Sequence, residues 1–314
     1  MSRVAAVDCG TNSVRLLVAD VDGRDKADVH REMRVVRLGE GVDRTGELAP
    51  AAIKRTRAAL VDYAATCRQL GVEATRMVAT SATRDARNRA QFVEMVQQVL
   101  GVAPEVVSGE QEAALSFDGA TRGLDPAQGP FLVLDIGGGS TEFVLGTGAV
   151  EASLSVDVGC VRLTERHLVG DPPTGDQVRA AQADVEAALD RVLAAVPAGR
   201  ARTAVGLAGS VTTVAALALA LPAYDAERIH LSRISAEQVR DVTGRLLGQT
   251  REQRAALPVM HPGRVDVIGA GALVLRTVVD RLQLPEVLVS EADILDGIAW
   301  SVAPAAPQPP AARP

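Results

Sequence analysis

Two short strings place a carboxylate, glycines and a hydroxyl at matched offsets. Asp8-Cys9-Gly10-Thr11-Asn12-Ser13 and Asp135-Ile136-Gly137-Gly138-Gly139-Ser140 both read D-x-G-x-x-S. Each closes an apolar run (RVAAVD, FLVLD) and each is followed at once by another (VRLLVAD, EFVLG). A glycine-rich turn exposes successive backbone N–H groups, and a neighbouring hydroxyl adds a donor, so such turns bind phosphate oxygens. The candidates are Gly10, Thr11, Asn12 and Ser13 in the first turn, and Gly137, Gly138, Gly139, Ser140 and Thr141 in the second. An aspartate at each strand end would repel a phosphate unless a cation lay between them. Asp8 and Asp135 therefore predict Mg²⁺ (or Mn²⁺), which takes one or two carboxylates, waters and substrate oxygens. The plain alternative is a pair of ordinary hairpin turns; the shared Asp and Ser offsets argue against it.

Other polar residues leave two readings open. Glu142, two residues beyond Ser140, starts the returning strand, where alternation sends its side chain to a defined face. Glu112 opens a helix and either serves the chemistry or only complements the helix dipole. Arg84, between a strand and a helix, either forks onto a phosphate or is solvated. A third turn, Gly206-Leu207-Ala208-Gly209-Ser210-Val211-Thr212-Thr213, could hold a terminal phosphate or a nucleotide through Gly209 and Ser210; otherwise Ser210 is a helix N-cap. The four histidines are scattered without metal-ligand spacing, and Cys9, Cys67 and Cys160 form neither a disulfide framework nor a zinc site. No G-x-S-x-G elbow, C-x-x-C or Walker-type lysine loop is present.

The elements that must position these residues can be read from periodicity. Strand, tight turn and strand are expected at each D-x-G-x-x-S string. Helices are expected over Pro50–Leu70, Asn88–Leu100 and Gly109–Phe117, with a brief strand at Met77–Ala79. A Gly- and Pro-rich stretch from Gly119 to Pro130 suggests a boundary, giving one domain over 1–124 and a second over 125–302. Further helices are expected near Thr174–Val196, Val211–Leu221, Ala236–Leu247 and Val265–Leu282, and a last strand near Val287–Ser290. Residues 303–314 form a Pro/Ala-rich tail expected to be disordered. Two matching hairpins, one per half, imply two similar domains facing each other.

The 314 residues suit two domains, and 47% hydrophobic with 23% charged residues is ordinary globular composition. A net charge of −6 argues against broad attraction to nucleic acid or an anionic membrane, and 2% aromatics argues against a base-stacking platform. No membrane-length apolar run or signal sequence is evident, so a cytoplasmic protein is expected.

Taken together, the strings DCGTNSVRLLV, ATSATRDARN, SGEQEA, VLDIGGGSTEFVLG and GLAGSVTT resemble the exopolyphosphatase / guanosine pentaphosphate phosphatase (Ppx/GppA) family in its short two-domain form, from Val4 to about Trp300. The resemblance implies an α/β fold of two similar actin-like domains, of the sugar kinase, Hsp70 and actin superfold, flanking a cleft. It implies Glu112 as general base, and Asp135 and Glu142 as carboxylates serving the metal and the water beside Asp8. It implies Asn12, Ser13, Arg84, Gly138, Ser140 and Gly209 as phosphate contacts. The expected activity is Mg²⁺-assisted hydrolysis of the terminal phosphoanhydride of polyphosphate. The same chemistry on pppGpp to give ppGpp is the nearest alternative, with a kinase of the same superfold or a non-catalytic nucleotide or polyphosphate sensor behind it. The expected partner is the substrate, not nucleic acid or a membrane, with a homodimer left open. Two departures, Ala114 after the E-A step and Asp293-Ile294-Leu295-Asp296-Gly297 in place of G-L-R-E-G, reduce the cationic lining and point to short polyphosphate chains.

Overall fold

A computed structural model describes residues 1–23 and 25–302; the tail expected at 303–314 lies outside the described residues. The chain opens with three antiparallel strands, β1 (Ser2–Cys9), β2 (Ser13–Asp22) and β3 (Asp25–Val35). A short helix α1 (Val42–Thr45) and the long α2 (Pro50–Gln69) lead to β4 (Ala74–Ala79), which lies parallel to β1. After α3 (Ser81–Asp85) and α4 (Arg89–Leu100), β5 (Glu105–Val106) completes a five-stranded sheet of order β3-β2-β1-β4-β5.

The helix α5 (Gly109–Thr121) then leads to a second set of antiparallel strands, β6 (Phe131–Ile136), β7 (Thr141–Gly146) and β8 (Val150–Val156). Helices α6 (Cys160–Arg166) and α7 (Gly175–Ala195) precede β9 (Thr203–Leu207), which is parallel to β6. The remainder is α8 (Ala208–Ala218), α9 (Ala226–Ile229), β10 (Arg233–Ser235), α10 (Ala236–Gly248), α11 (Arg251–Ala255), α12 (Ile268–Arg281), β11 (Glu286–Val289) and α13 (Ile294–Val302). The second sheet has the order β10-β11-β9-β6-β7-β8. Both sheets thus start as a three-stranded meander whose first strand takes a parallel neighbour after a helical crossover. This is the two-fold α/β repeat expected from the paired strings.

The strand cores explain the pairing. Every residue of β6 and β7 is buried, as is β1 from Val4 onward, and side chains on both faces meet helices. One face of the first sheet packs Ala5, Val7, Leu16 and Val18 against Leu60, Tyr63 and Phe92. Its other face packs Val4, Ala6, Leu17 and Val78 against Ile294, Leu295 and Ile298 of α13. The helix α5 puts Ala113, Phe117 and Ala120 on Phe131, Val133 and Val144 of the second sheet. The expected division at 124/125 separates the strands of the two sheets, but these two helices cross it. The helix before the boundary packs on the second sheet, and the last helix returns to the first. They touch each other at glycines: a methyl on Gly119 would overlap the Asp293 carbonyl, and one on Gly297 the Leu115 carbonyl. Among the described residues no helix is long and apolar enough to cross a membrane.

Candidate active site

The two glycine-rich turns close in the same way. Gly10 N–H donates to Ser13 O at 3.0 Å, and Gly137 N–H donates to Ser140 O at 3.0 Å. The turns face each other across the gap between the sheets. A Cβ added at Gly138 would lie 2.9 Å from Thr11 Cβ, and one at Gly139 would lie 2.7 Å from Thr11 Oγ1 and collide with Ser81 Oγ. Glycine is needed here because the turns approach so closely that no side chain fits between them. A cavity of about 100 Å³ opens beside this contact. Gly10, Thr11, Asn12, Ser13, Gly137, Gly138, Gly139, Ser140, Gly209 and Ser210 all line it.

Three carboxylic acids reach the same cavity: Asp8 at the end of β1, Asp135 at the end of β6, and Glu112 in the first turn of α5. The start of α5 is fixed by a capping box between Ser108 and Gln111, which sets where Glu112 projects. Glu112 is 8% exposed, and its Oε2 accepts a hydrogen bond from Arg84 Nη1 at 3.0 Å. Burial pushes the Glu112 carboxyl up to about 7; Arg84 opposes the rise, and Asp135 and Asp8 add to it. Asp135 accepts from Ser116 Oγ at 2.6 Å and is pushed up to about 6, mainly by burial. Three buried acids in one small space repel one another, and each gains from a nearby cation or proton.

Asp8 is opposite Arg15 in the β1–β2 register. Arg15 donates to Asp8 Oδ2 from Nη2 at 2.7 Å and from Nε at 2.9 Å, and its Nη1 meets Asp293 just before α13. Burial works against the Arg15 charge, but Asp293 and Asp8 outweigh it and hold the guanidinium above its ordinary pKa. The other oxygen of Asp8, Oδ1, is buried without a hydrogen-bond partner. An orphaned carboxylate oxygen beside Asp135 suits a hard divalent cation that takes one or two protein carboxylates and otherwise water and phosphate oxygens.

Three of the expected site residues lie outside the cavity lining. Glu142 faces Asp135 across the β6–β7 register but is 1% exposed, accepting from Ser140 Oγ at 2.7 Å and Ser155 Oγ at 2.8 Å. Its carboxyl is raised well above the ordinary range by burial, then by Glu112 and Asp135. It is a buried layer behind the site, and Asp8, Asp135 and Glu142 do not gather as one three-carboxylate cage: among the described residues no such metal-sized group exists. Thr141 points away, its hydroxyl donating to Val158 O at 2.5 Å. Arg84 directs its Nη1 to Glu112 Oε2 and to Val107 O, both at 3.0 Å.

Arg15, Ser81 and Arg264, which sequence did not single out for the site, also line the cavity, as does the buried Cys160. Arg15 had a signal, because a tight turn between Asp8 and Arg15 puts them opposite each other on paired strands. Arg264 had none; it arrives from a distant segment to donate to Gly209 O and Thr213 Oγ1, both at 3.3 Å. Ser210 does not cap α8, whose N-cap is Leu207. Ala208 instead takes a left-handed φ of 65°, a strained conformation for a residue with a side chain, beside Gly209 in the cavity wall.

Residues 17–306 match the Ppx/GppA phosphatase family. The chain is 54% identical to exopolyphosphatase 2 of Mycobacterium tuberculosis, over 96% of this chain and 99% of that protein. Among solved structures it resembles an exopolyphosphatase-like protein with a TM-score of 0.91 and 41% identity, covering 94% of this chain and 97% of the other. It also resembles the Aquifex aeolicus Ppx/GppA family member with a TM-score of 0.80 and 30% identity, covering 96% and 97%. Matched turns, facing carboxylates and near full-length similarity lead to one conclusion: this chain belongs to the Ppx/GppA phosphatase family.

Proposed function

We propose that the chain is an exopolyphosphatase, releasing orthophosphate from the end of inorganic polyphosphate by attack of water. The observation that carries this reading is the meeting of Glu112 with both glycine-rich turns at one cavity. Backbone N–H groups and hydroxyls of the two turns grip the terminal phosphate from opposite sides, which holds it in line for displacement. Glu112 in its ionised form takes a proton from the attacking water; the new P–O bond forms as the anhydride P–O bond breaks, and the shortened chain leaves. A pKa near 7 suits that task, since a base poised near the working pH is both ionised and able to accept a proton. Asp135 and Asp8 would hold Mg²⁺ or Mn²⁺, whose chemistry when bound is to neutralise phosphate charge and polarise the reacting phosphoryl group.

One observation favours pppGpp as a second substrate. A second cavity of about 520 Å³ opens beside Arg15 and Arg264, lined by Met33, Tyr224, Val259 and Met260 and also by the charged Arg31, Glu32, Glu291 and Asp293. A cavity with both apolar and charged walls beside the phosphate-binding turns has room for a nucleoside beyond its phosphates. The test is orthophosphate release from tripolyphosphate, long polyphosphate and pppGpp side by side, with wild type and Glu112→Gln. Loss of a general base costs about 10²- to 10⁴-fold. Wild type that binds these compounds and releases no phosphate would identify a sensor and overturn the proposal.

A further inference from the structure

The three carbonyls of the second turn are each held by a donor from the start of α6. Cys160 N–H donates to Gly137 O at 3.0 Å, and Val161 N–H donates to Gly138 O at 2.9 Å. The third carbonyl, Gly139 O, accepts from a side chain: Arg162 Nε, at 2.8 Å. The same guanidinium reaches across to the first half of the chain. Nη1 donates to Asp43 Oδ1 at 2.5 Å and Nη2 to Asp85 Oδ2 at 2.6 Å. The Arg162 side chain is 12% exposed, while its acceptors Asp43 and Asp85 are 20% and 33% exposed.

Asp85 ends α3, a single helical turn that also carries Arg84, the residue holding Glu112, and Ser81, whose hydroxyl faces Gly139. One planar side chain therefore fixes the phosphate-gripping turn at one edge and the helix supporting the base at the other. We infer that Arg162 is a positioning residue that sets the distance between the Gly137–Gly139 turn and Glu112, a role that rests on the phosphatase reading above. Arginine is required because three acceptors in different directions need the fixed fork of a guanidinium; an ammonium cannot span them. Asp43 has further support from Arg166, at 2.6 Å from Nε, so its loss is buffered. Among the described residues, Asp85 is bonded through its carboxylate to Arg162 alone.

The test compares wild type, Arg162→Lys, Asp85→Asn and the double variant. The readouts are melting temperature, kcat and KM on tripolyphosphate, and tripolyphosphate affinity by calorimetry. Displacing a reacting group by about 1 Å costs on the order of 10²-fold in rate. The expected result is kcat down by about that factor in Arg162→Lys, with a smaller fall in Asp85→Asn. The double variant should lie within about threefold of Arg162→Lys, because both changes break one tie. A role confined to stability would lower the melting temperature and leave kcat in the cold unchanged, and that would overturn the inference. So would effects that multiply in the double variant. If Arg162→Lys lost its fold, folded Asp85→Asn with wild-type kcat and affinity would overturn it equally. If wild type binds tripolyphosphate but releases no phosphate, the phosphatase reading fails by itself. The tie is then judged on affinity, about tenfold weaker in Arg162→Lys if it holds and unchanged if it does not.

Discussion

Replacing Arg84 with methionine separates two roles that the sequence left open. If Arg84 grips phosphate, the variant loses substrate affinity. The structure aims its Nη1 at Glu112 Oε2 over 3.0 Å, and with Glu112 as the proposed base this gives Arg84 the role of modulating it. Burial raises the Glu112 carboxyl and Arg84 holds it down, with about 7 as the outcome. A full charge pair about 4 Å apart is worth about 4 kcal/mol at an effective dielectric near 20, and a tenfold change in an acid's ionisation constant corresponds to about 1.4 kcal/mol. Arg84 is 24% exposed, so water weakens the attraction, and losing it should weaken the Glu112 acid by about 10- to 10³-fold. The direction follows from the base being active when ionised. In wild type, kcat/KM on tripolyphosphate should climb tenfold per pH unit below about 7 and level off above it. In Arg84→Met the whole rising limb should move to higher pH. Measured at pH 6, the variant should be slower by about 10- to 10³-fold, and the gap should close as pH increases. A limb that stays in place while KM rises at every pH would refute the reasoning and return Arg84 to the phosphate.

Three other outcomes concern the site and the residues around it. Excess EDTA should stop phosphate release and added Mg²⁺ should restore it, while Asp135→Asn should raise the Mg²⁺ concentration required; full activity in EDTA contradicts the carboxylate assignment. Burial raises the Glu142 carboxyl well above the ordinary carboxylate range, so the stability it contributes is complete below that range and lost as pH rises through its raised pKa. Glu142→Gln removes that loss, so its melting temperature in EDTA should match wild type at pH 5 and exceed it at pH 9; the same difference at both pH values would show that ionisation is not involved. Arg15 and Arg31 are occupied by Asp293 and Asp296 near the site. A charge-assisted bond to a desolvated phosphate is worth about 1.5–3 kcal/mol, so a chain short of free arginines should release long polyphosphate between cycles. A gel should show intermediates of every length, and direct conversion to free phosphate would reject distributive cleavage.

Some of this molecule is local chemistry and could be read from the chain. Apolar runs broken by D-x-G-x-x-S predicted both hairpins, because strand alternation and turn geometry depend on residues a few positions apart. The helices over 50–69 and 175–195 were legible for the same reason. Strand β3 was not, since its sequence DKADVHREMRV runs along a sheet edge and is mostly polar, with no buried stripe to betray it. The last helix was equally silent about its partner. Ile294, Leu295 and Ile298 are apolar wherever they pack, and only the folded chain carries them back to Val4 and Leu17 on the first sheet.

The same limit divides the site. The paired turns and their aspartates came from residue type and spacing, because a phosphate-gripping turn and the carboxylate that opens it are adjacent in sequence, whereas Glu112 was singled out as a base only through the family resemblance. Orientation came from neither. That Arg84 faces Glu112, that Glu142 sits behind the cavity, and that Arg264 enters it from far along the chain were decided by tertiary packing. A side chain's partner is set by whichever distant surface fills the space beside it, and spacing along the chain carries no record of that surface.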